Sequence, residues 1–92
     1  MAQESRSLSV FTESVAILRR MAVRGSVEEQ ALRDDLAGAH RVRIFARPPR
    51  RDEIASTEVA ANTLAKALRE EYGSKLQVIV TIGPPLDERF GG

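Results

Sequence analysis

The sequence HRVRIFAR, residues 40–47, decides the fold predicted for this chain. Small or aliphatic side chains alternate in it with arginines and one phenylalanine: the first set is Val42, Ile44 and Ala46, the second Arg41, Arg43, Phe45 and Arg47. A period of two is typical of a β-strand, because successive side chains point to opposite faces of a sheet. Pro48 and Pro49 end the strand, since proline cannot donate a ladder hydrogen bond. The stretch therefore predicts a strand with one aliphatic face and one arginine face.

The sequence after this strand predicts a helix and then a second strand. Apolar residues between Asp52 and Tyr72 recur at helical spacing, and Gly73 follows as a helix terminator. Alternation returns from Lys75 to Ile82 and ends at a glycine followed by two prolines. A connection of this length permits a right-handed crossover, so we expect the two strands to be parallel.

The amino-terminal part has a helical period. Apolar side chains between Leu8 and Ala22 recur at steps of three and four, which predicts a helix ending at Gly25. Ser26 and Glu29 form a capping box that opens a second helix, ending at Gly38. The predicted order is helix, helix, strand, helix, strand: an α+β fold with two N-terminal helices followed by a β-α-β unit.

A length of 92 residues leaves room for one domain. We expect residues 1–7 to be a disordered N-terminus, residues 8–85 the single domain and residues 86–92 a flexible tail. Two strands leave Phe45 and Ile79 on an uncovered face and leave a strand edge unpaired. We therefore expect the N-terminal helices to pack on that face and the sheet to be completed by homodimerisation through strand edges.

The composition limits the possible sites and partners. The chain has no cysteine, which excludes disulfides and thiolate metal sites, and it has no apolar run of signal or membrane-spanning length. We expect a small cytoplasmic protein without membrane contact. The formal net charge is only +1, so attraction for nucleic acid has to come from local patterning.

Five arginines lie within residues 40–51, which is the densest chemical feature of the sequence. Guanidinium groups beside a phenylalanine on one strand face suit phosphate pairing and base stacking. The candidate binding residues are Arg41, Arg43, Phe45, Arg47, Arg50, Arg51 and Ile79. Arg50 and Arg51 also precede a helix at the carboxyl end of a strand, where an anion could bind. Alternatively, the arginines pair with acidic residues of a second subunit or of the N-terminal helices: Glu28, Glu29, Asp34 and Asp35.

Catalytic and metal-binding groups are scarce. His40 is the only histidine, and no set of acidic residues joins it at the spacing of a catalytic triad or a metal site. We therefore expect no catalytic residues, no metal site and no cofactor.

Two short stretches resemble known motifs. Residues 56–69 resemble the second half of a bacterial helix-turn-helix, with an alanine pair at the turn. The turn has no glycine, however, and unbroken helix formers favour one continuous helix. Gly91 and Gly92 resemble the ends of sulfur-carrier and ubiquitin-like proteins, which implies activation of the terminal glycine as an adenylate. Those β-grasp folds begin with a β-hairpin, whereas this sequence predicts helices there.

Together these features predict a small non-catalytic interaction or assembly module that is homodimeric through its strand edges or that docks on another protein. The alternative is a nucleic-acid-binding regulatory protein that uses the arginine-rich strand and loop, Arg41 to Arg51. A third reading is a diglycine-ended protein similar to sulfur carriers. These readings differ in salt dependence, because binding through several phosphates weakens steeply with salt and apolar association does not.

Overall fold

The computed structural model describes residues 6–87. The main elements in chain order are β1 (Ser7–Thr12), α1 (Val15–Met21), α2 (Val27–Leu36), β2 (Arg41–Ala46), α3 (Ile54–Tyr72) and β3 (Gln77–Ile82). Short 3₁₀ turns precede and follow α3, at Arg51–Glu53 and Gly73–Lys75. Within the described part, the protein is a mixed α/β fold with three helices and a three-stranded parallel sheet.

The sheet has the strand order β1-β2-β3, and both pairs of neighbours are parallel. Crossovers between parallel strands are right-handed, so two successive crossovers in the same direction place all their helices on one face. The side chains on that face are Leu8, Val10, Thr12, Val42, Ile44, Ala46, Val78, Val80 and Ile82. The apolar ones among them belong to, or pack against, one core cluster that contains Leu18 of α1, Leu32 of α2 and Leu64 of α3. The core is therefore a single layer between the helices and the sheet.

The helix predicted from Leu8 to Gly25 is wrong over its first half, where the structure has strand β1. Leu8 and Val10 point toward the helices, in register with Val42 and Ile44 of β2. The spacing of Leu8 and Phe11 suits a helix locally, but pairing with β2 satisfies the backbone of this segment and puts its aliphatic side chains against the core. The helix begins only after Ser14, whose side chain accepts the Ile17 amide. The order predicted from the sequence therefore lacks one strand.

The prediction that the N-terminal helices cover Phe45 and Ile79 is also wrong. Both helices lie on the face that α3 occupies, because the crossover from β1 to β2 has the same hand as the crossover from β2 to β3. Phe45 remains 37% exposed. Of the predicted disordered N-terminus, residues 1–5 lie outside the described residues, and Ser7 is the first residue of β1.

Several sequence predictions are confirmed. β2 and β3 form as parallel strands, and α3 runs without a break, as its unbroken helix formers indicate, so residues 56–69 contain no helix-turn-helix. Ser26 caps α2 by accepting the Glu29 amide at 2.9 Å. The reciprocal bond of the capping box shifts by one residue, because the Glu29 carboxylate accepts the Gly25 amide at 3.2 Å. Gly25 has a φ of +90°, a conformation that glycine adopts without strain.

A charge network ties α2 to α3. Glu29 accepts a hydrogen bond from Arg33, one turn further along α2, and Arg33 also contacts Glu71 of α3 at 2.6 Å. The hydrogen bond from Arg33, followed by that from the Gly25 amide, holds the pKa of Glu29 below its ordinary value of 4.5. Folding therefore favours the ionised carboxylate.

We expect Glu29→Gln to flatten the acid limb of the stability profile. A carboxylate with a lowered folded-state pKa contributes stability that is fully present above the unfolded value, near 4.5 here, and is lost as the pH falls through the folded value. Urea unfolding from about pH 3 to 6 measures this dependence. Glu58→Gln, on an exposed position of α3 that makes no ion pair within residues 6–87, is the matched control. Equal pH profiles for wild type and Glu29→Gln would contradict the assignment.

Candidate functional site

The sheet face opposite the helices carries the candidate site, and we call it the open face. Register places its side chains in three rows across the strands: Ser7, Arg41 and Gln77; then Ser9, Arg43 and Ile79; then Phe11, Phe45 and Thr81. The three strands contain two arginines and no acidic residue. Parallel sheets are normally covered on both faces, whereas the helices within residues 6–87 cover one face of this sheet only.

Two phenylalanine rings form the apolar centre of the open face. Phe11 and Phe45 are direct neighbours in register, with ring centroids 5.4 Å apart and planes tilted by 33°. They are 59% and 37% exposed. Phe45 also lies against the backbone of Gly83, where an added Cβ would come within 2.9 Å of the ring atom Cζ. Contacts with Phe11 and Gly83 therefore support the Phe45 ring at the surface.

Three arginines lie along this side of the sheet: Arg41 and Arg43 in β2, and Arg47 directly after it. Arg41 donates from Nε to Oε1 of Gln77 at 3.0 Å, and Arg47 donates from Nε to the carbonyl oxygen of Pro84 at 2.7 Å. Both contacts orient the guanidinium group and leave its charge uncompensated. Arg43 is exposed between Ser9 and Ile79, and none of the three arginines forms an ion pair with another residue in the range 6–87. The open face therefore carries positive charge that no carboxylate within residues 6–87 offsets.

Comparisons with known proteins find no match. No family model, curated protein or solved structure is similar to this chain at a significant level. The function is therefore inferred from the open face and its surroundings.

The acidic residues of the N-terminal helices do not neutralise the arginine strand. Glu28 pairs with Arg20 at 2.8 Å, Glu29 pairs with Arg33, and Asp34 accepts from Gln30. These acids lie on α2, on the far side of the sheet from Arg41 and Arg43. The prediction that these helix acids pair with the arginines is therefore wrong for the described residues, because it requires the helices to lie on the other face. Pairing with acidic residues of a second subunit stays a prediction.

Arg50 and Arg51 lie in the loop between β2 and α3, apart from the strand rows. The Arg50 guanidinium lies 3.5 Å from a carboxylate oxygen of Asp52 and 3.6 Å from one of Glu53. The Arg51 backbone amide donates to the Asp87 carboxylate at 3.1 Å. The chain's own carboxylates thus already contact the Arg50 guanidinium and the Arg51 amide, and both residues lie outside the strand that carries Arg41 and Arg43.

His40 is exposed at the start of β2 and is held there by its backbone, which bonds to Arg6 and Gln77. Across residues 6–87, no group of three acidic or histidine side chains could hold a metal ion. Nor does this part of the chain contain a helix long and apolar enough to cross a membrane. Gly91 and Gly92 lie outside the described residues.

Phe11 is the open-face residue that the sequence reasoning missed. The sequence placed it on the apolar stripe of a helix, whereas in β1 it stands beside Phe45. The signal that could have found it is the alternation of Leu8, Val10 and Thr12 with Ser7, Ser9 and Phe11.

Proposed function

We propose that the protein binds single-stranded nucleic acid on its open face. The observation that supports this most strongly is the exposed pair Phe11 and Phe45 beside arginines whose charges have no acidic partner within residues 6–87. Unpaired bases stack on aromatic side chains, and arginine pairs with phosphate through its planar fork. The open face therefore offers aromatic rings for the bases of a nucleic acid and guanidinium groups for its phosphates.

Charge argues against a second copy of the chain on the same face. A face-to-face dimer is self-complementary, so it would bury Arg41 and Arg43 of both copies in one interface. The strands contain no acidic residue to offset the repulsion between them. An anionic partner turns the same charges into attraction.

The shape of the open face favours a single strand over a duplex. Reading base edges in a duplex requires a helix or a β-ribbon that projects into the major groove, and the open face is a flat three-stranded surface. Stacking on Phe11 and Phe45 also requires bases that are free of their partners. Homodimerisation through strand edges, expected from the sequence, is compatible with this function because edge pairing leaves the open face uncovered.

We expect Phe11→Ala to weaken binding of a fluorescein-labelled single-stranded RNA by about 5- to 150-fold, because one stacked base contributes about 1–3 kcal/mol. Fluorescence anisotropy at low salt measures the affinity. The melting temperature should change little, since Phe11 is 59% exposed. Val59→Ala, which removes an exposed apolar side chain from α3, is the control and should bind as the wild type does. Unchanged affinity of Phe11→Ala, or tighter binding of a duplex of the same sequence, would overturn the proposal.

A further inference from the structure

The two edges of the sheet differ in their protection. At β3, the backbone amides of Gln77 and Gly83 donate to the carbonyl oxygens of His40 and Ala46, on the side of β2. Successive residues of a strand direct their backbone groups to opposite sides, so those of Val78 point to the outer edge of the sheet. Arg69 of α3 donates from Nη2 to the Val78 carbonyl oxygen at 2.9 Å. A cationic side chain therefore occupies the start of the β3 edge, a device that hinders the addition of another strand.

The β1 edge has no such protection. The Thr12 carbonyl oxygen accepts from the backbone amide of Arg47, the residue after β2, at 3.0 Å, so alternation directs the backbone groups of Ser7, Ser9 and Phe11 away from β2. No hydrogen bond from elsewhere in residues 6–87 reaches these outward groups. The β1 edge is thus a row of free donors and acceptors.

A groove runs beside this edge, between β1 and α2. Its volume is about 300 Å³, and its apolar walls come from Leu8, Val10, Met21 and Leu32. Glu28 and Asp35 of α2 also line it, and they are the charged residues of its wall. Glu28 and Asp35 are seven positions apart in α2, which corresponds to about 10 Å along a helix. An extended chain paired with the β1 edge would therefore lie against aliphatic side chains of the groove, with one acidic group near each end of the groove.

We propose that the β1 edge binds an extended segment of a partner protein by strand addition. The side chains that this segment turns toward the groove are basic, aliphatic and basic in succession. The two basic positions lie about 13 Å apart in a strand, so their aliphatic stems cover Leu8 and Val10 while their charged ends reach Glu28 and Asp35. The intervening side chains, which turn toward the arginine-bearing open face, are uncharged.

Asp35 is the principal anchor of the segment. Glu28 already pairs with Arg20 at 2.8 Å, whereas the Asp35 carboxylate makes no ion pair within the described part of the chain. A second copy of β1 fits this edge poorly, because its groove-facing residues Leu8 and Val10 carry no base. Arg6, on the same side, already donates to the carbonyl oxygens of Ala37 and Asp35 in its own chain. Twofold pairing would also bring two acidic α2 helices together.

The probe is a fluorescein-labelled seven-residue peptide in which threonine alternates with lysine, valine and lysine in that order. We expect Asp35→Lys to weaken its binding to the full chain by about fivefold to tenfold in an anisotropy titration at low salt, the size of a reversed exposed charge pair. Asp34→Lys is the matched control: it makes the same charge change one residue earlier, outside the groove, and should bind within about twofold of the wild type. A peptide with glutamate in place of lysine should not bind.

Backbone pairing is tested separately on the peptide, so it does not depend on the folding of a variant. One peptide carries N-methyl groups on its threonine amides and another carries them on its lysine and valine amides. Only one of these sets faces β1, so we expect one peptide to bind and the other to lose binding. Binding of both methylated peptides, or equal affinity of Asp35→Lys and wild type, would overturn the proposal. So would a dimer in sedimentation that Asp35→Lys dissociates, since that result assigns the edge to a second copy.

Discussion

Replacing Ile44 by alanine is expected to lower the free energy of unfolding by about 2–5 kcal/mol. Ile44 is 1% exposed in the central strand and is flanked in register by Val10 and Val80. Truncation removes buried apolar contact and leaves a cavity between the helices and the sheet, which the neighbouring strands cannot close without breaking their pairing. The free energy of unfolding of small domains is about 5–15 kcal/mol in total, so urea denaturation should show that this variant loses a large fraction of it.

Ile79→Ala is the control for this experiment. It makes the same chemical change on the neighbouring strand, but Ile79 is only half-buried and lies on the open face. We expect it to cost no more than about 1 kcal/mol. Equal losses for Ile44→Ala and Ile79→Ala would mean that both faces of the sheet are covered, against the architecture described above.

The elements predicted correctly are those in which a strong hydrophobic period is contained within one short stretch of sequence. In β2 the alternation of Val42, Ile44 and Ala46 with larger polar or aromatic neighbours has no competing helical pattern, and α3 has six buried positions at helical spacing. Ser26 identifies the start of α2 because a side-chain cap depends on a few neighbouring residues only. These features could be read from the sequence because the interactions that form them are close in sequence.

Strand β1 was not predicted because its stability depends on residues far along the chain. Ser7–Thr12 pairs with Arg41–Ala46, more than thirty positions later, and no short window contains both segments. Without β1, the right-handed crossover rule applies to one connection only and does not place α1 and α2 on a face of the sheet. The same omission hid Phe11, and with it the aromatic pair that makes the open face suitable for stacking.

The double variant Arg41→Glu with Arg43→Glu is expected to weaken binding of single-stranded RNA by about 100-fold or more at low salt. Each lost phosphate contact removes counterion release, so the log-log salt slope should also become shallower by about 0.7 per contact, or about 1.4 for both. The fold should persist, because both side chains are exposed. Their one contact with another strand, the hydrogen bond from Arg41 to Gln77, lies at the surface. Filter binding at several salt concentrations measures both quantities.

The control for this double variant is Arg19→Glu with Lys66→Glu, which changes the net charge equally at exposed helix positions. Neither residue pairs with an acid within residues 6–87. If both double variants lose affinity to the same extent, attraction comes from net charge and the open face has no special part in binding. A loss confined to Arg41 and Arg43, together with the shallower salt slope, would locate the phosphates near Phe11 and Phe45, because Arg43 lies in the row next to the rings and Arg41 in the row beyond it. The chain's net charge of +1 is too small to bind a polyanion by itself, so the placement of these arginines, more than their number, has to supply the attraction.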